Sequence, residues 1–485
     1  MSGQQDQTVV DHHKHEQFMS QPESPTSDVH PGHRRTSGAP PSEDGQPHVR
    51  PEQIGPAVFE RIRQRPGYDT ALDDIVDAVA SGRRLNVAQG ETVFATPDIW
   101  SVISLGDVYR RRLHGDIAYY NVNRHLNYSN VCALSCKFCA FHRKKDDDGA
   151  YQYSIDEIRE EAVKAAASGA TEIHIVGGLH PWLPFSYYTE MMTAIKESAP
   201  ALHIKAFTAV EIVHLARISK RGRDKQDGIK AVLQDLKDAG LDSLPGGGAE
   251  VFDDRVHDEA FKGKIRGEQW LDVHRAAHEL GINTNATMLY GHIETRRDRL
   301  HHMQLLREQQ DRTLREWAVK FGVGLQKAVN HDGEEHEAVV LTGPDTNGRQ
   351  PQAGDTPNGY HQTIIPLPFF PDKSDLEHLP SPSGLENLRT LAVSRLMLDN
   401  IPHVKAFWIM QTLAMAQLQL KAGADDIDGT VVWYDITKVG GTGTSQECSV
   451  SDLTRAIREA GFRPVERDTL YRPVARQGSA WSIAG

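Results

Sequence analysis

Residues 130–143 read NVCALSCKFCAFHR and contain three of the four cysteines in the chain. Cys132, Cys136 and Cys139 follow the spacing C-x3-C-x2-C, which is short enough for three thiolates to bind one metal centre. A structural zinc site has four protein ligands, and His142 could complete a Cys3His set. A four-iron cluster held by three cysteines instead leaves one iron open to a small molecule. The spacing alone leaves both interpretations open.

Short apolar strands alternate with amphipathic helices around this cysteine loop, and the alternation predicts a parallel sheet. The predicted strands span residues 119–122, 172–176, 203–207, 243–244, 285–290, 363–368, 404–408 and 429–432. The predicted helices span residues 154–168, 184–198, 228–239, 267–280, 295–310, 383–399, 411–422 and 449–460. Eight strands, each followed by a helix, predict an α/β fold of the closed (β/α)8 TIM type over residues 116–472. An open six-stranded barrel is the alternative.

Four segments lie outside this alternation. Residues 1–52 are rich in His, Pro, Ser, Gln and Gly, which predicts a disordered tail because little apolar surface can be buried. Residues 53–115 have helical apolar spacing and form a predicted helical preface to the barrel. Residues 312–362 are polar, and we expect a surface insertion on the N-terminal face, with a catalytic lid as the alternative. Residues 473–485 are expected to form a C-terminal tail.

Composition narrows the class of protein. The formal net charge of -12 argues against binding to nucleic acid or to an anionic membrane surface. No run of eighteen apolar residues is present, and the N-terminus lacks the apolar stretch of a secretory signal. Three clustered thiols fit a reducing, cytoplasmic environment better than a disulfide framework. Cys448 stands alone in the sequence and is expected to be an unligated thiol.

Candidate binding residues follow the predicted strands, because the functional groups of such a barrel lie at the C-terminal ends of its strands. Gly177 and Gly178 follow the second strand, where glycines let a backbone approach a ligand closely, although a plain turn has the same pattern. Gly247 and Glu250 follow the fourth strand. The Glu250 carboxylate could accept hydrogen bonds from ligand hydroxyls or form a surface salt bridge.

Four more titratable residues occupy equivalent positions. His180 follows the second strand and either faces a substrate or caps the turn, while Glu211 follows the third strand as a candidate cofactor ligand. His292 and Glu294 follow the fifth strand. Glu294 fits equally well as a first-turn acid that interacts with the dipole of the next helix.

The cysteine spacing, with Phe138 and Phe141 beside it, resembles the signature of the radical S-adenosylmethionine (SAM) superfamily. Over residues 72–472 the chain resembles the aminofutalosine synthases of that superfamily. The resemblance is carried by the strings NVNRHLNYSNVCALSCKFCAF, EIHIVGGLHP, HIKAFTAVEI, AGLDSLPGGGAE, NATMLYGHIET, AVSRLMLDNIPH and GADDIDGTVV. It implies a [4Fe-4S] cluster on the three cysteines, with SAM on the open iron as the source of a 5′-deoxyadenosyl radical.

The resemblance also implies roles for the other candidates. The glycine pair Gly177–Gly178 would receive the SAM amino group, Glu250 the ribose hydroxyls, and the segment with Glu294 would lie beside the adenine. The implied substrate is 3-[(1-carboxyvinyl)oxy]benzoate, and the implied product is aminodeoxyfutalosine, a precursor of menaquinone. The substrate has two carboxylates, for which we expect Arg395 as a partner, with His180 and His292 as donors. Arg217 and Arg143 are further candidates for these carboxylates.

An electron donor such as flavodoxin or ferredoxin is implied as the protein partner. One departure is Phe370, where the family more often has a histidine, so that any role of that histidine is lost or moved. Two related radical SAM activities remain as alternatives, those of dehypoxanthine futalosine cyclase and of the deazaflavin synthases. The strings KAFTAVEI and MLYGHIET favour the aminofutalosine synthases. The non-enzymatic alternative is a zinc-binding scaffold.

Overall fold

Within the described part of the chain, four α-helices precede the first strand: α1 (Ala57–Arg63), α2 (Asp73–Ser81), α3 (Val87–Ala95) and α4 (Ile99–His114). The side chain of Asn86 caps α3 in a capping box, and that of Asp98 caps α4, so both helices begin where a polar side chain can satisfy free amides. The computed structural model describes residues 54–321, 326–329, 335–338, 358–431 and 447–484. The predicted tail over residues 1–52 lies outside the described residues.

Strands and helices then alternate along the chain. The first half contains β1 (Ile117–Asn121), β2 (Asn123–Leu126), α5 (Ile155–Ala167), β3 (Glu172–Ile175), α6 (Phe185–Ser198), β4 (His203–Ala206), α7 (Ala209–Ile218), α8 (Lys225–Asp238), β5 (Ser243–Leu244), α9 (Asp254–Ala260), α10 (Gly267–Glu279) and β6 (Asn283–Tyr290). The second half contains α11 (Arg296–Phe321), β7 (Gln326–Val329), β8 (Glu335–Ala338), β9 (His361–Pro368), α12 (Gly384–Met397), β10 (His403–Val404), α13 (Leu413–Leu420), β11 (Asp426–Gly429), α14 (Val450–Glu459), β12 (Arg463–Glu466), β13 (Val474–Gln477) and β14 (Ala480–Ile483).

The parallel strands close into a ring. Seven strands pair in the order β10-β9-β6-β5-β4-β3-β2, and β1, which runs on into β2, pairs in parallel with β11. A bridge between Lys405 and Asp426 joins β10 to β11 and closes the circle. The predicted (β/α)8 barrel is therefore confirmed, and the open six-stranded alternative is wrong. Strand β12 lies outside the ring and pairs with β1.

Two segments contain structure where the sequence suggested none. Helix α11 continues to Phe321, past its predicted end at residue 310, and buries Leu314 on the way. Strands β7 and β8 pair antiparallel within the predicted insertion. Strands β13 and β14 form a second hairpin in the expected C-terminal tail, which the Arg476 side chain ties to the backbone oxygen of Gly169 at 3.0 Å. No helix in the described ranges combines the length and apolarity that a membrane span needs.

The interior of the barrel is polar. Successive residues of a strand point to opposite faces, so Ile173 and Ile204 point outward into the buried layer against the helices. Their neighbours Glu172, His174 and Lys205 point inward and line a cavity. Parallel strands buried on both faces usually read as continuous apolar runs, so these inward charges mark a site rather than a simple core.

Candidate active site

The cysteine loop follows β2 and covers the C-terminal end of the barrel. Cys132, Cys136 and Cys139 are all unpaired, partly buried and exposed to one cavity of about 320 Å³. The sulfur of Cys132 accepts the backbone amides of Leu134 and Leu179, both at 3.4 Å. Amide hydrogen bonds to a ligand sulfur help to set the potential of an iron–sulfur cluster, so the loop after β3 contributes to this centre.

The sulfur atoms do not have the compact spacing of a zinc site. In a tetrahedral zinc site with Zn–S bonds of about 2.3 Å, the sulfur atoms lie about 3.8 Å apart. Within the described part of the chain, the three sulfurs do not form a group whose ligand atoms all lie within 4.8 Å, with or without His142. Burial raises the pKa of Cys132 and raises that of Cys136 to about 12, and a cationic centre bound there would favour the thiolate forms.

Gly177 and Gly178 hold the loop after β3 against the chain that leads into the cysteine loop. A Cβ atom on Gly178 would lie 2.2 Å from the backbone oxygen of Val131, and one on Gly177 would lie 2.6 Å from the Tyr128 ring. The amide of Gly178 donates to the oxygen of Ser129 at 2.8 Å. The pair lines the cavity, and close packing within the protein already requires glycine at both positions.

Gly247 and Glu250 line the same cavity, on the loop after β5. A Cβ atom on Gly247 would lie 2.8 Å from the Thr208 side chain, so this loop packs directly on the start of α7. Glu250 forms an ion pair with Lys264, and both side chains are about 10% exposed. The Lys264 ammonium lies 5.1 Å from the centre of the Phe138 ring and therefore beside the cysteine loop.

Glu211 is the acid of a capping box at the start of α7. Its carboxylate accepts the Thr208 amide at 2.7 Å, the Gly177 amide at 3.0 Å and the Tyr128 hydroxyl at 3.0 Å. Burial raises the pKa of Glu211 to about 7, against the lowering effect of these hydrogen bonds. The residue lines the cavity, and its visible function is to join the loop after β3 to α7.

Deeper in the barrel, the floor of the cavity contains two buried ion pairs. Lys205 Nζ lies 2.6 Å from Glu172 Oε1, and Lys405 Nζ lies 2.8 Å from Asp428 Oδ1. Burial alone would raise the pKa of Glu172, but the two ammonium groups outweigh burial and hold that pKa well below its usual value. Glu172 Oε2 and His174 Nε2 are buried without a hydrogen-bond partner. The floor of the cavity is therefore polar, and some of its polar atoms have no hydrogen-bond partner.

One side of the cavity is apolar and comes from the ends of β9 and β10. The side chains on this wall are Ile365, Leu367, Phe369, Phe370, Phe407 and Met410. Phe370, the residue that departs from the family pattern, contributes to this wall and not to a polar contact. The cavity thus presents thiols at its mouth, an apolar wall along its side and two ion pairs at its floor.

Arg395 does not belong to this site. It lies on α12 with its side chain fully buried and forms an ion pair with Asp425, and its Nε donates to the oxygen of Gly423 at 2.9 Å. Asp425 precedes β11, so this pair lies at the N-terminal end of the barrel, opposite the cysteine loop. Arg143 hydrogen-bonds backbone oxygens of its own loop, and Arg217 is exposed on α7. The expectation that these arginines meet a substrate is not supported, because none lines the cavity.

His180 caps its turn, which was one of its two predicted roles. Its Nδ1 atom accepts the amides of Trp182 and Leu183 at 3.3 and 3.2 Å, which explains its position after β3. The ring does not line the cavity. The alternative role as a substrate donor therefore has no geometric support.

His292 and Glu294 are likewise engaged within their own loop. The Glu294 carboxylate accepts the amides of Gly291 and His292 at 2.6 and 2.9 Å and pairs with Arg299 at 2.7 Å. His292 Nε2 lies 3.1 Å from the backbone oxygen of Leu289. Neither side chain lines the cavity, and both stabilise the turn after β6, while the expected place of this segment beside the adenine stays a prediction.

The sequence analysis missed the residues of the floor, although a signal was present. The segments EIHI, HIKA, HVK and DID place polar residues at alternate positions of four strands. A period of two puts those residues on one face of each strand, and in a closed barrel that face points inward. Lys205 and Lys405 lie on or directly after a strand, among apolar residues, and not in the loops where barrel sites are usually expected.

Comparison with known proteins identifies the family. Residues 126–306 match the radical SAM superfamily, and residues 359–478 match the CofH/MqnC C-terminal region. In fold, the chain resembles the crystal structure of methylornithine synthase with a TM-score of 0.57 and 15% identity, over 80% of this chain and 96% of the other. This likeness extends over the barrel and supports the fold alone.

Three curated relatives match most of the chain. An aminodeoxyfutalosine synthase of Thermus thermophilus is 37% identical over 410 residues, which cover 84% of this chain and 96% of the relative. Another from Streptomyces coelicolor is 39% identical over 409 residues, covering 82% and 92%. A 5-amino-6-(D-ribitylamino)uracil–L-tyrosine 4-hydroxyphenyl transferase of Methanopyrus kandleri is 33% identical over 416 residues, covering 84% and 98%.

Radical SAM enzymes use a [4Fe-4S] cluster and SAM, and the three cysteines that share the mouth of the cavity fit that cluster. The zinc-binding scaffold is thereby excluded as an interpretation of the motif. The chain is an enzyme of the radical SAM superfamily, in the group that carries the CofH/MqnC C-terminal region.

Proposed function

We propose that this enzyme adds a 5′-deoxyadenosyl group to 3-[(1-carboxyvinyl)oxy]benzoate and forms 6-amino-6-deoxyfutalosine, a step toward menaquinone. Identities of 37% and 39% to two aminodeoxyfutalosine synthases, over more than nine-tenths of each relative, support this reaction. The transferase from Methanopyrus kandleri is less similar, at 33%. The activities of dehypoxanthine futalosine cyclase and of the deazaflavin synthases remain the alternatives, and the 33% identity to the Methanopyrus kandleri transferase supports the second of them.

The observation that carries the proposal is the combination of the cysteine loop with an apolar wall in one cavity. Phe369, Phe407 and Met410 offer aromatic and polarizable contacts to a benzene ring. A ring held against this wall would place an attached enol ether toward the cysteines at the mouth. Radical chemistry needs a site that excludes water and other hydrogen donors, and the wall provides such surroundings.

The cluster and SAM, when bound, supply the carbon radical that adds to the double bond. Cys132, Cys136 and Cys139 would bind the cluster. We assign Glu250, with Gly247 beside it, to the SAM side of the cavity because both line it next to the cysteine loop. Lys264 would neutralise Glu250 and lies close enough to Cys136 to interact with it electrostatically. The remaining work of the protein is to orient the substrate.

Electron entry would occur on the outer side of the cysteine loop. A polar depression there shares Cys136, Cys139 and His142 with the main cavity, so the loop separates the cavity from the surface. Lys137 and Arg143 lie on its rim. A small electron-transfer protein of the flavodoxin or ferredoxin type is the expected donor.

An anaerobic assay tests the reaction directly. The reconstituted enzyme is incubated with SAM, reductant and 3-[(1-carboxyvinyl)oxy]benzoate, and the products are identified by mass spectrometry. We expect aminodeoxyfutalosine with loss of carbon dioxide. Parallel incubations contain dehypoxanthine futalosine, or tyrosine with the ribitylamino uracil. Conversion of either of these, without conversion of the benzoate, would assign a different reaction to this chain.

A further inference from the structure

We propose that Lys205 and Lys405 together bind the ring carboxylate of the aromatic substrate at the floor of the barrel. The inference rests on the proposed function, because it takes the benzoate as the substrate. It assigns one of the two carboxylates, for which the sequence suggested arginines and histidines, to these lysines. Lys205 belongs to β4, and Lys405 follows β10 directly, so both ammonium groups lie inside the barrel.

The cations that line the cavity are few. Within the described residues, the lysine and arginine side chains that line it are Lys205, Lys264 and Lys405. Lys264 lies at the mouth, paired with Glu250 beside the cysteine loop. Lys205 and Lys405 are thus the cations available to an anionic group that enters deeply.

Both floor lysines retain donors for a ligand. An ammonium group has three N–H donors, and the described contacts are one carboxylate oxygen for each lysine, from Glu172 and from Asp428. The paired acids keep the lysines from being buried as isolated charges when no substrate is present. An entering carboxylate can then accept the remaining donors in charge-assisted hydrogen bonds, which are stronger than neutral ones.

Unsatisfied polar atoms at the same place indicate a binding site. Glu172 is 1% exposed and its Oε2 atom has no hydrogen-bond partner, and neither has Nε2 of the neighbouring His174. Buried polar groups are normally satisfied by protein, water or ligand. Because an ionised carboxylate accepts hydrogen bonds and does not donate them, Glu172 Oε2 fits a water that accompanies the ligand and not the ligand carboxylate itself.

The chemistry of the substrate fixes its direction. The double bond must lie near the cysteine loop, because the radical is generated there, and the vinyl carboxylate is attached to that double bond. The ring carboxylate is attached meta to the ether oxygen and lies at the other end of the molecule from the vinyl group. With the ring on the apolar wall of Leu367, Phe369 and Phe407, that carboxylate reaches toward Lys205 and Lys405.

The test compares the binding of two ligands to two proteins, the wild type and the Lys405→Met variant. Affinity for 3-[(1-carboxyvinyl)oxy]benzoate and for 2-phenoxyacrylate, which lacks the ring carboxylate, is measured by anaerobic calorimetry on the SAM-loaded enzyme without reductant. We expect Lys405→Met to weaken binding of the benzoate about tenfold to hundredfold and to leave binding of 2-phenoxyacrylate unchanged. Equal effects on both ligands, or no effect, would overturn the inference.

Controls keep the test decisive. Lys164→Met removes an exposed lysine that is likewise paired with a carboxylate, Glu161, and should change neither affinity. If Lys405→Met fails to fold, the double variant Lys405→Met/Asp428→Leu removes both charges of the buried pair, a replacement that proteins often tolerate.

Failure of this inference can be distinguished from failure of the proposed function. Product formation without a lysine effect refutes this inference, and a lysine effect without that product refutes the proposed reaction. A wild-type enzyme that does not bind the benzoate refutes both.

Discussion

The carboxylate of Glu211 accepts the backbone amide of Gly177 at 3.0 Å. This hydrogen bond joins the start of α7 to the loop after β3, whose next residues contact the cysteine loop. Burial raises the pKa of Glu211, so the hydrogen bond between α7 and the loop after β3 depends on pH.

The first prediction concerns this pH dependence. The folded pKa of Glu211, about 7, lies above the unfolded value of 4.5, so folded protein binds the proton more tightly. The resulting stabilisation is complete below pH 4.5 and is lost as the pH rises through 7. Between pH 6 and 8, this single group should reduce the free energy of unfolding by about 1.4 kcal/mol. Urea unfolding of wild type and Glu211→Gln at both pH values measures the difference, and parallel pH dependences would contradict it.

The second prediction concerns the cluster. Cys132→Ala, Cys136→Ala and Cys139→Ala should each abolish binding of one cluster per chain and all cleavage of SAM. Cys448→Ala should retain both, since Cys448 does not line the cavity and its amide donates to Thr430 at 3.0 Å. Iron and sulfide analysis after anaerobic reconstitution provides the measurement. Loss of the cluster in Cys448→Ala would indicate a fourth cysteine ligand.

The third prediction separates two buried glutamates. Glu250→Gln should lower the affinity for SAM about tenfold to hundredfold, because charged hydrogen bonds are worth about 1.5–3 kcal/mol. Glu294→Gln is the matched control: it removes a buried charge paired with Arg299 outside the cavity and should lower stability without changing SAM affinity. SAM is titrated into each variant, and its binding is followed through the spectrum of the cluster. Equal SAM affinities in the two variants would show that Glu250 does not belong to the site.

The fourth prediction tests the close packing behind the cysteine loop. A methyl group on Gly178 would overlap the backbone oxygen of Val131 at 2.2 Å, so the loop must move. Gly178→Ala should therefore cost about 1–3 kcal/mol of stability and lower the cluster content. Gly55→Ala is the control, since nothing lies within 4 Å of its added Cβ. Thermal unfolding and iron content that match wild type in Gly178→Ala would show that the two loops are not in contact.

Much of this architecture can be predicted from the sequence, for identifiable reasons. The periodicity of apolar residues predicts eight barrel strands at nearly the observed positions. Because these strands are parallel, the loops that follow them all lie at the same end of the barrel. That is why Cys132, Gly177, Gly247 and Glu250, from three different loops, do meet in one cavity. The direction of each strand alone brings these loops together, whatever the orientation of their side chains.

The orientation of the side chains could not be predicted from the sequence. His292 and Glu294 lie in the correct loop, yet their side chains turn back to cap it, because local amides were available as partners. The guanidinium group of Arg395 suggests a partner for a substrate carboxylate. An ion pair with Asp425, thirty residues later, instead holds it at the opposite end of the barrel. Such choices depend on which partner is nearest in space, and a single sequence does not contain that information.

The pairing of β12 with β1 also governs the order of events during synthesis. Ile117 aligns with Arg463, and the amide of Arg467 donates to Tyr120 at 2.9 Å, so the first barrel strand finds neighbours among residues made hundreds of positions later. Contacts this distant in sequence slow folding, and chains fold from the N-terminus as they leave the ribosome. The ring closes through β11, so it cannot be completed before residue 429 emerges, and β12 is added to β1 only after residue 466. Until residue 429 emerges, the cysteine loop, which follows β2, lies at the end of a sheet that has not yet closed.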